Sequence, residues 1–357
     1  MIGLIQTKGV IDNISVHPRQ IIYNMKQFLK NFRALRLVKS SRSKAVSIEE
    51  MESKHLQTAI SHFSDSIYFS GITEEGMTFV TRMSFRNKKL NENWLKIHIP
   101  GEGVWGFENR GMIEGEGFEQ GKLKYVCEKP GKVWRIVFEG PVFQGKKYYQ
   151  ITFDLKWKSN LPLVNFEDNG VSSDQLAFQI AKQEWDWWFT KQLKALSRGH
   201  YEQAGEIKGV ITWKRKKHKV QMKAVRYHSF GRLNWKDWER HLWFSGLLED
   251  GRMFHAGIVD YHLINDLKSG FVSDKKQVIT FVKTPAFHQL DFDSDSLPEF
   301  SFKVKETEGE AEKTVKVEML EFFPFVMDEK YSIRQAKASF EYDGVKGVGI
   351  VEMGLKI

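Results

Sequence analysis

The chain has a single cysteine, Cys127, among its 357 residues, and it contains no long apolar run. One thiol cannot form an intrachain disulfide, so a reducing compartment is the simpler expectation. No segment approaches the roughly 20 consecutive apolar residues that a membrane-spanning helix needs. The first residues also lack the basic start, long apolar stretch and small-residue cleavage site of a secretory signal. The sequence therefore predicts a soluble intracellular protein, of the cytoplasm.

Acidic residues are scarce in the N-terminal segment, residues 1–48, and this scarcity produces nearly all of the net charge of +9. The segment has nine basic side chains and one acidic side chain, whereas the remaining 309 residues hold 45 basic and 44 acidic ones. A surface that follows nucleic-acid phosphates needs a concentration of basic residues on the folded body. This body is almost neutral, and we expect no nucleic-acid partner.

The same segment contains an amphipathic pattern between Gln20 and Val38. Apolar residues recur there at three- and four-residue spacing, with basic residues between them, which predicts a helix. Three interpretations of it are open: a helix packed on the folded body, a peripheral contact with an anionic membrane surface through residues 19–44, and a mitochondrial presequence.

From Phe63 onward the apolar period changes to two, which is typical of strands with one buried face. Apolar and polar residues alternate over residues 149–157 and again over 134–138. Residues 300–304 and 315–319 alternate on either side of a turn at Gly309, which predicts a hairpin. The aromatic share of 13% suits both strands and the walls of apolar ligand sites. Many short strands of this kind indicate a sandwich or a barrel.

A repeat relates the two halves of the chain. Residues 67–79 align without a gap with residues 242–254, and each copy reads as an apolar strand, an acidic-Gly turn and a second apolar strand. Gly76 and Gly251 provide the left-handed turn positions. The repeat predicts a duplicated β unit. Between the two copies, a helix is predicted from about Asp174 to Leu196, capped by Ser172 or Ser173.

Four segments together resemble a known superfamily. They are the Tyr201-Glu202-Gln203 segment, the stretch 226–235, the hairpin that begins at Trp243, and the glycine-rich end 347–354 with Glu352. Over roughly residues 60–357 the sequence is similar to the carotenoid hydratase and AttH-like proteins. The resemblance implies a mainly β fold of two tandem lipocalin-like antiparallel barrels or sandwiches. The predicted division is a basic segment (1–48), a first lipocalin-like domain (49–170), a connecting helix (171–199) and a second lipocalin-like domain (200–357).

The resemblance implies that an apolar small molecule, such as an isoprenoid, a polyene or a lipid, binds in a barrel cavity. Some members hydrate, isomerise or cyclise isoprenoids by protonating a double bond, and others have no established activity, so whether this chain is an enzyme stays open. Related modules occur beside phosphoenolpyruvate-utilising phosphotransferase domains. A non-catalytic module that docks to such a protein partner is therefore one alternative, and a peripheral membrane lipid carrier is another.

The family pattern supplies the candidate site residues. Arg226, Ser229, Gly231, Trp235 and Glu352 match it, whereas Tyr227 and Asn234 replace aspartates and Phe230 replaces a tryptophan. Protonation of an alkene needs a carboxylic acid that stays neutral in an apolar pocket, and periodicity does not decide which carboxylate faces inward. The candidate catalytic residues are Asp237, Tyr227, His228 and Glu352. The candidate ligand-binding residues are Arg226, Ser229, Trp235, Trp238 and Trp243.

Structural roles compete with these assignments. Arg226 can instead form an ion pair with Glu352 or Asp237, and His228 can be a buried histidine whose hydrogen bonds are satisfied. The eleven histidines show no metal-ligand spacing, the glycines between Gly101 and Gly117 precede no Gly-Lys-Ser/Thr, and no Gly-x-Ser-x-Gly elbow occurs. We therefore expect neither a metal nor a cofactor.

Overall fold

The structure is a computed structural model, and it describes residues 18–41, 46–55, 60–86, 91–111, 117–195, 198–284, 299–327 and 331–357. Over these residues the chain is mainly β and forms two antiparallel sheets, as the sequence predicted. The predicted strands over residues 134–138, 149–157, 300–304 and 315–319 are all present.

The first sheet has the order β4-β3-β2-β1-β11-β10-β8-β7-β6-β5, with β9 paired to β10. Gly106 of β4 also pairs with Phe143 of β7, so the sheet curls back on itself. Its strands are β1 (Phe63–Thr73), β2 (Thr78–Arg86), β3 (Asn91–Ile99), β4 (Gly103–Gly111), β5 (Phe118–Gln120), β6 (Leu123–Lys129), β7 (Val133–Gln144), β8 (Lys147–Lys158), β9 (Val164–Asn165), β10 (Arg198–Trp213) and β11 (Lys216–Arg232).

The second sheet has the order β15-β14-β13-β12-β19-β18-β17-β16. An antiparallel β-bridge between Lys283 and Lys305 brings together the two edges of this sheet, at β15 and β16. Its strands are β12 (Trp238–Leu248), β13 (Met253–Tyr261), β14 (Leu267–Ser273), β15 (Val278–Thr280), β16 (Glu299–Val304), β17 (Lys313–Met327), β18 (Tyr331–Tyr342) and β19 (Val345–Lys356).

The border between the sheets lies later in the chain than the predicted start of the second domain at residue 200. β10 and β11 belong to the first sheet, because β11 pairs with β1 over the full length of β1 and β10 pairs with β8. The chain passes to the second sheet through a short 3-10 turn, Trp235–Asp237. The repeat hairpin therefore supplies the first two strands of each sheet in chain order, β1–β2 and β12–β13, and it lies inside the sheet rather than at an edge.

The two repeat hairpins are the most deeply buried part of each sheet. β1 and β2 form one hairpin, β12 and β13 form the other, and Gly76 and Gly251 adopt φ angles of 91° and 87° at their turns. Every residue of β1 is buried. One face of β1 packs on the core of its own sheet, through Ile67 and Phe69, and the other faces the second sheet, through Tyr68. Burial on both faces explains why this segment does not alternate in hydropathy.

The interior of each sheet is filled by buried apolar side chains. In the first sheet Phe69, Trp134 and Trp157 are fully buried, and the Phe69 ring contacts both tryptophan rings edge to face. In the second sheet Phe244 and Phe254 are fully buried, with ring centroids 5.6 Å apart.

The helices are α1 (Pro18–Ser41), α2 (Ile48–Met51), a π-helical turn (Phe166–Gly170), α3 (Ser173–Lys182) and α4 (Trp187–Ala195). The predicted connecting helix is thus two helices, and its continuity was predicted wrongly. Ser172 caps α3 as expected, but Asp186 accepts a hydrogen bond from the Phe189 N–H at 2.6 Å and begins a new helix.

α1, α3 and α4 form one helical unit. Ala34 and Val38 of α1 are buried against α3, and the Gln27 side chain donates to the Ala181 carbonyl at 3.0 Å. Of the three interpretations of the basic helix, packing on the folded body is therefore present over the described residues of α1.

Candidate functional site

A cavity of about 630 Å³ lies where the outer faces of the two sheets meet. Strands of the first sheet contribute Ser66 and His200 to its wall, strands of the second contribute His241 and Glu352, and α3 contributes Leu176. The volume falls within the range of roughly 300–1,000 Å³ that is usual for small-molecule sites. The sequence placed the ligand inside a barrel, whereas this cavity lies between the two sheets.

Aromatic rings form much of the wall. All three predicted ligand-binding tryptophans, Trp235, Trp238 and Trp243, line the cavity. Trp243 stacks on Phe166 of the π-helical turn, with ring centroids 5.3 Å apart. Tyr227 stacks on Tyr68 in the same way, at 4.4 Å. The rings of Phe166, Tyr227 and Trp243 give the cavity flat, apolar surfaces.

Successive side chains of β11 point to opposite faces of the sheet. The motif at residues 226–229, which was predicted to form one cluster, is therefore divided between the two faces. Tyr227 and Ser229 point outward and line the cavity. Arg226 and His228 lie on the opposite face of the strand, are fully buried, and do not line it. Seven of the nine predicted site residues therefore surround one cavity, and these two do not.

Arg226 belongs to a buried ion pair inside the first sheet. Its Nη2 donates to Glu52 Oε1 and to Gln203 Oε1, at 2.8 Å each, and both charged side chains are at most 1% exposed. The Glu52 carboxylate also accepts hydrogen bonds from Tyr201 and Trp134. Burial alone would raise the pKa of the Glu52 carboxyl, but the charge of Arg226 and these hydrogen bonds outweigh burial and lower the pKa. The predicted structural ion pair exists, but its partner is Glu52 rather than Glu352 or Asp237.

His228 is held in the same interior. Its Nε2 contacts Asp65 Oδ1 at 2.5 Å, and its Nδ1 lies 3.0 Å from the Tyr201 hydroxyl. Both side chains of the His228–Asp65 pair are fully buried. The ring is a buried histidine with both nitrogens engaged, which is the structural alternative to a catalytic role.

One buried carboxylate next to the cavity was not among the predicted site residues. Glu202 of β10 is fully buried and accepts hydrogen bonds from Trp243 Nε1 and from the Ser245 hydroxyl. Imidazole nitrogens of His200 and His255 lie 3.4 and 3.3 Å from its two oxygens. Burial would raise the pKa of Glu202, but the two histidines and the hydrogen bonds lower it far below its usual value. Glu202 is therefore ionised.

This arrangement connects the buried carboxylate to the cavity through serine hydroxyls. His200 Nδ1 lies 2.5 Å from Ser229 Oγ, and both residues line the cavity. On the other side of Glu202, His255 Nε2 lies 2.8 Å from the hydroxyl of Ser269, which also lines the cavity. The two chains of hydrogen bonds can carry a proton between the carboxylate region and a bound molecule.

Glu352 lies at a second imidazole–carboxylate pair in the cavity wall. His241 Nε2 is 2.9 Å from Glu352 Oε1, His241 Nδ1 is 2.7 Å from the Tyr331 hydroxyl, and Gln335 donates to Glu352 Oε2. Burial would raise the pKa of Glu352, but the charge and hydrogen bond of His241 lower it. Glu352 is accordingly a carboxylate, with 18% of its side chain exposed.

Asp237 lies at the rim, where the chain passes between the sheets. Arg232 Nη2 donates to Asp237 Oδ2 at 3.1 Å, and Asn234 Nδ2 donates to Oδ1 at 3.0 Å. The lowered pKa of Glu352 means that Glu352 does not supply the predicted neutral carboxylic acid.

Sequence reasoning missed His200, Glu202, His241 and His255. The alternation of side chains along β12 is a signal that would have identified His241. Leu242 and Phe244 belong to the core of the second sheet, so His241, Trp243 and Ser245 point the other way.

The described residues contain no group of three or more His, Cys, Asp and Glu side chains that could hold a metal ion. Of the helices in the described part of the chain, none has the length and apolar character needed to cross a membrane.

The fold is similar to three solved structures. An AttH-like protein of Nitrosomonas europaea superposes with a TM-score of 0.59 at 14% identity, over 87% of this chain and 97% of that one. Kievitone hydratase of Nectria haematococca gives 0.52 at 10% identity, over 87% and 96%, and CghA with Sch210972 gives 0.51 at 8%, over 83% and 89%. At these identities the likeness establishes the fold, and it confirms the predicted tandem lipocalin-like architecture.

No curated protein matches the sequence. The predicted phosphotransferase partner stays a prediction. One family does match, over residues 49–356, and it is described as "Domain of unknown function (DUF7064)". Because this match spans both sheets, the chain belongs to that DUF7064 family.

Proposed function

We propose that the chain binds an apolar small molecule in the cavity between its two sheets and catalyses a proton transfer to it. Hydration, isomerisation or cyclisation of a carbon–carbon double bond would each begin in this way. The observation that carries the proposal is an aromatic-walled cavity of about 630 Å³ with imidazole–carboxylate pairs at His200–Glu202 and His241–Glu352. Apolar walls with a few convergent polar groups are typical of ligand sites.

The acid in this proposal is an imidazolium rather than a carboxylic acid. Glu202 and Glu352 have lowered pKa values, so neither of these carboxyl groups carries a proton near neutral pH. An ionised carboxylate beside an imidazole stabilises the protonated ring, and histidine is the common proton donor near pH 7.

His200 is the proposed donor. The proton would pass from His200, directly or through the Ser229 hydroxyl, to one carbon of the double bond. The faces of Trp238 and Trp243 would stabilise the resulting cation. In a hydration, a water oxygen would bond to the cation and lose a proton to the His241–Glu352 pair. The His241–Glu352 pair would then release its proton to solvent and solvent would restore the proton on His200, so the net change is addition of one water.

Deuterium incorporation tests this chemistry. The apolar molecule extracted from the purified chain would be returned to ligand-free protein in D₂O and analysed by mass spectrometry. We expect carbon-bound deuterium with the wild type and a loss of about 10²-fold or more in its rate with His200→Gln. His218→Gln is the matched control, because His218 lies on β11 outside the cavity.

The second candidate function is that of a carrier, which would bind the apolar molecule in the same cavity without catalysing a reaction. The lowered pKa values of Glu202 and Glu352 favour it, because an ionised carboxylate has no proton to donate. Binding of the extracted molecule without any deuterium exchange in the wild type would select the carrier and exclude the enzyme.

A further inference from the structure

The helical unit of α1, α3 and α4 carries a concentration of exposed apolar side chains. Seven of the fourteen large apolar side chains that are exposed among the described residues lie on these three helices. The helices contain 43 of the 357 residues, so the concentration is several times what an even distribution would give. Large exposed apolar patches of this kind mark interaction sites.

The outer face of α1 is apolar as well as basic. Phe28, Leu29 and Phe32 are exposed by 69%, 51% and 59%. Their helical spacing puts them on one face, opposite Ala34 and Val38, which are buried against α3. The helix therefore uses its buried face for the fold and leaves its second apolar face without a role in the described structure.

α4 adds two exposed tryptophans. Trp187 and Trp188 in its first turn are exposed by 66% and 60%, and the Lys191 ammonium lies 4.9 and 5.5 Å from their ring centroids. Lys182 is placed in the same way over the exposed ring of Phe178 on α3. Exposed tryptophan rings with adjacent lysines are typical of protein surfaces at the lipid–water boundary.

The net charge of the helical unit indicates which kind of surface it would bind. α1 contains six basic and no acidic residues. Acidic groups do occur nearby, since Asp174 begins α3 and Glu184 and Asp186 separate α3 from α4, but they are balanced by lysines on α3 and α4. The net positive charge is therefore that of α1, and it complements an anionic lipid surface.

We propose that the helical unit of α1, α3 and α4 docks on an anionic membrane surface. This goes beyond the proposed function, because docking needs no reaction in the cavity. The same unit lines the cavity through Leu37, Leu176 and Leu193. The docked orientation would place the bilayer next to the cavity wall, so an apolar molecule would move between them without crossing water.

Vesicle co-sedimentation of the full chain tests the docking. The vesicles would be phosphatidylcholine alone and phosphatidylcholine mixed with phosphatidylserine. We expect binding to the mixed vesicles that weakens as salt is raised. Both Trp187→Ser/Trp188→Ser and Arg33→Glu/Arg36→Glu should weaken it by about tenfold or more.

The matched controls replace exposed residues on hairpins of the first sheet. Phe143→Ser/Tyr148→Ser and Lys216→Glu/Lys217→Glu should bind the mixed vesicles like the wild type. Circular dichroism would confirm that each variant is folded.

Equal binding by all folded variants would overturn the proposal, as would absence of binding by the wild type. A concentration-dependent dimer that Trp187→Ser/Trp188→Ser abolishes, without vesicle binding, would assign the surface to a second copy of the chain and also overturn it.

Discussion

Replacing Glu52 by glutamine should destabilise the first sheet strongly. The change keeps the size of the side chain and removes its charge, which leaves the Arg226 guanidinium fully buried without a counter-ion. Removal of one partner from a buried ion pair typically costs about 3–5 kcal/mol. That is a large fraction of the roughly 5–15 kcal/mol that stabilises a typical domain.

Urea unfolding, followed by tryptophan fluorescence, measures this loss. Asp154→Asn is the matched control, because the Arg135–Asp154 pair has the same chemistry but both side chains are about half exposed. It should cost about 1 kcal/mol or less. The double variant Glu52→Gln/Arg226→Met should be more stable than Glu52→Gln alone, since it removes the unpaired buried charge.

The reasoning would be refuted by a Glu52→Gln effect no larger than that of Asp154→Asn. A second readout separates the structural role of Arg226 from the ligand-binding role that its sequence motif implied. Folded Arg226→Met should bind the extracted apolar molecule as the wild type does, because Arg226 does not line the cavity.

Three further changes have defined outcomes. Gly349→Ala should lower stability by about 2 kcal/mol or more in calorimetry, since its Cβ would lie 2.4 Å from the Ser245 carbonyl oxygen. Glu202→Gln should reduce stability above the usual carboxyl pKa of 4.5. The lowered folded pKa means that this contribution is lost as pH falls through it, so thermal unfolding of wild type and variant should converge in acid. Asp186→Ala should remove about 1 kcal/mol of α4 capping and speed hydrogen exchange at the Phe189 amide.

The parts of the fold that could be predicted are those in which one local sequence signal is clear, such as hydropathy alternation or a turn glycine. The strand β8 shows clear alternation because one face is buried and the other is wet. The repeat hairpins were recognised because Gly76 and Gly251 both occupy left-handed turn positions. The break between α3 and α4 was missed because Asp186, its capping residue, lies within a stretch that is rich in aromatic residues.

The arrangement of the site depends on contacts that local patterns do not encode. Arg226 and Glu52 are 174 residues apart in sequence, so nothing near Arg226 indicates its partner. Both faces of β11 are buried in the region of the motif, which removes the contrast that would show which face meets the cavity. Local sequence patterns do not identify Glu202 as an acid–base residue, because its histidine partners come from both sheets.

Binding of a neutral apolar dye, N-phenyl-naphthylamine, tests most directly whether the cavity between the sheets is the ligand site. Val259 lines this cavity and is 4% exposed, whereas Val210 is exposed on β10 away from it. We predict that the wild type and Val210→Trp bind the dye with enhanced fluorescence and that folded Val259→Trp, whose cavity is filled, does not. Undiminished dye binding by folded Val259→Trp would contradict the account.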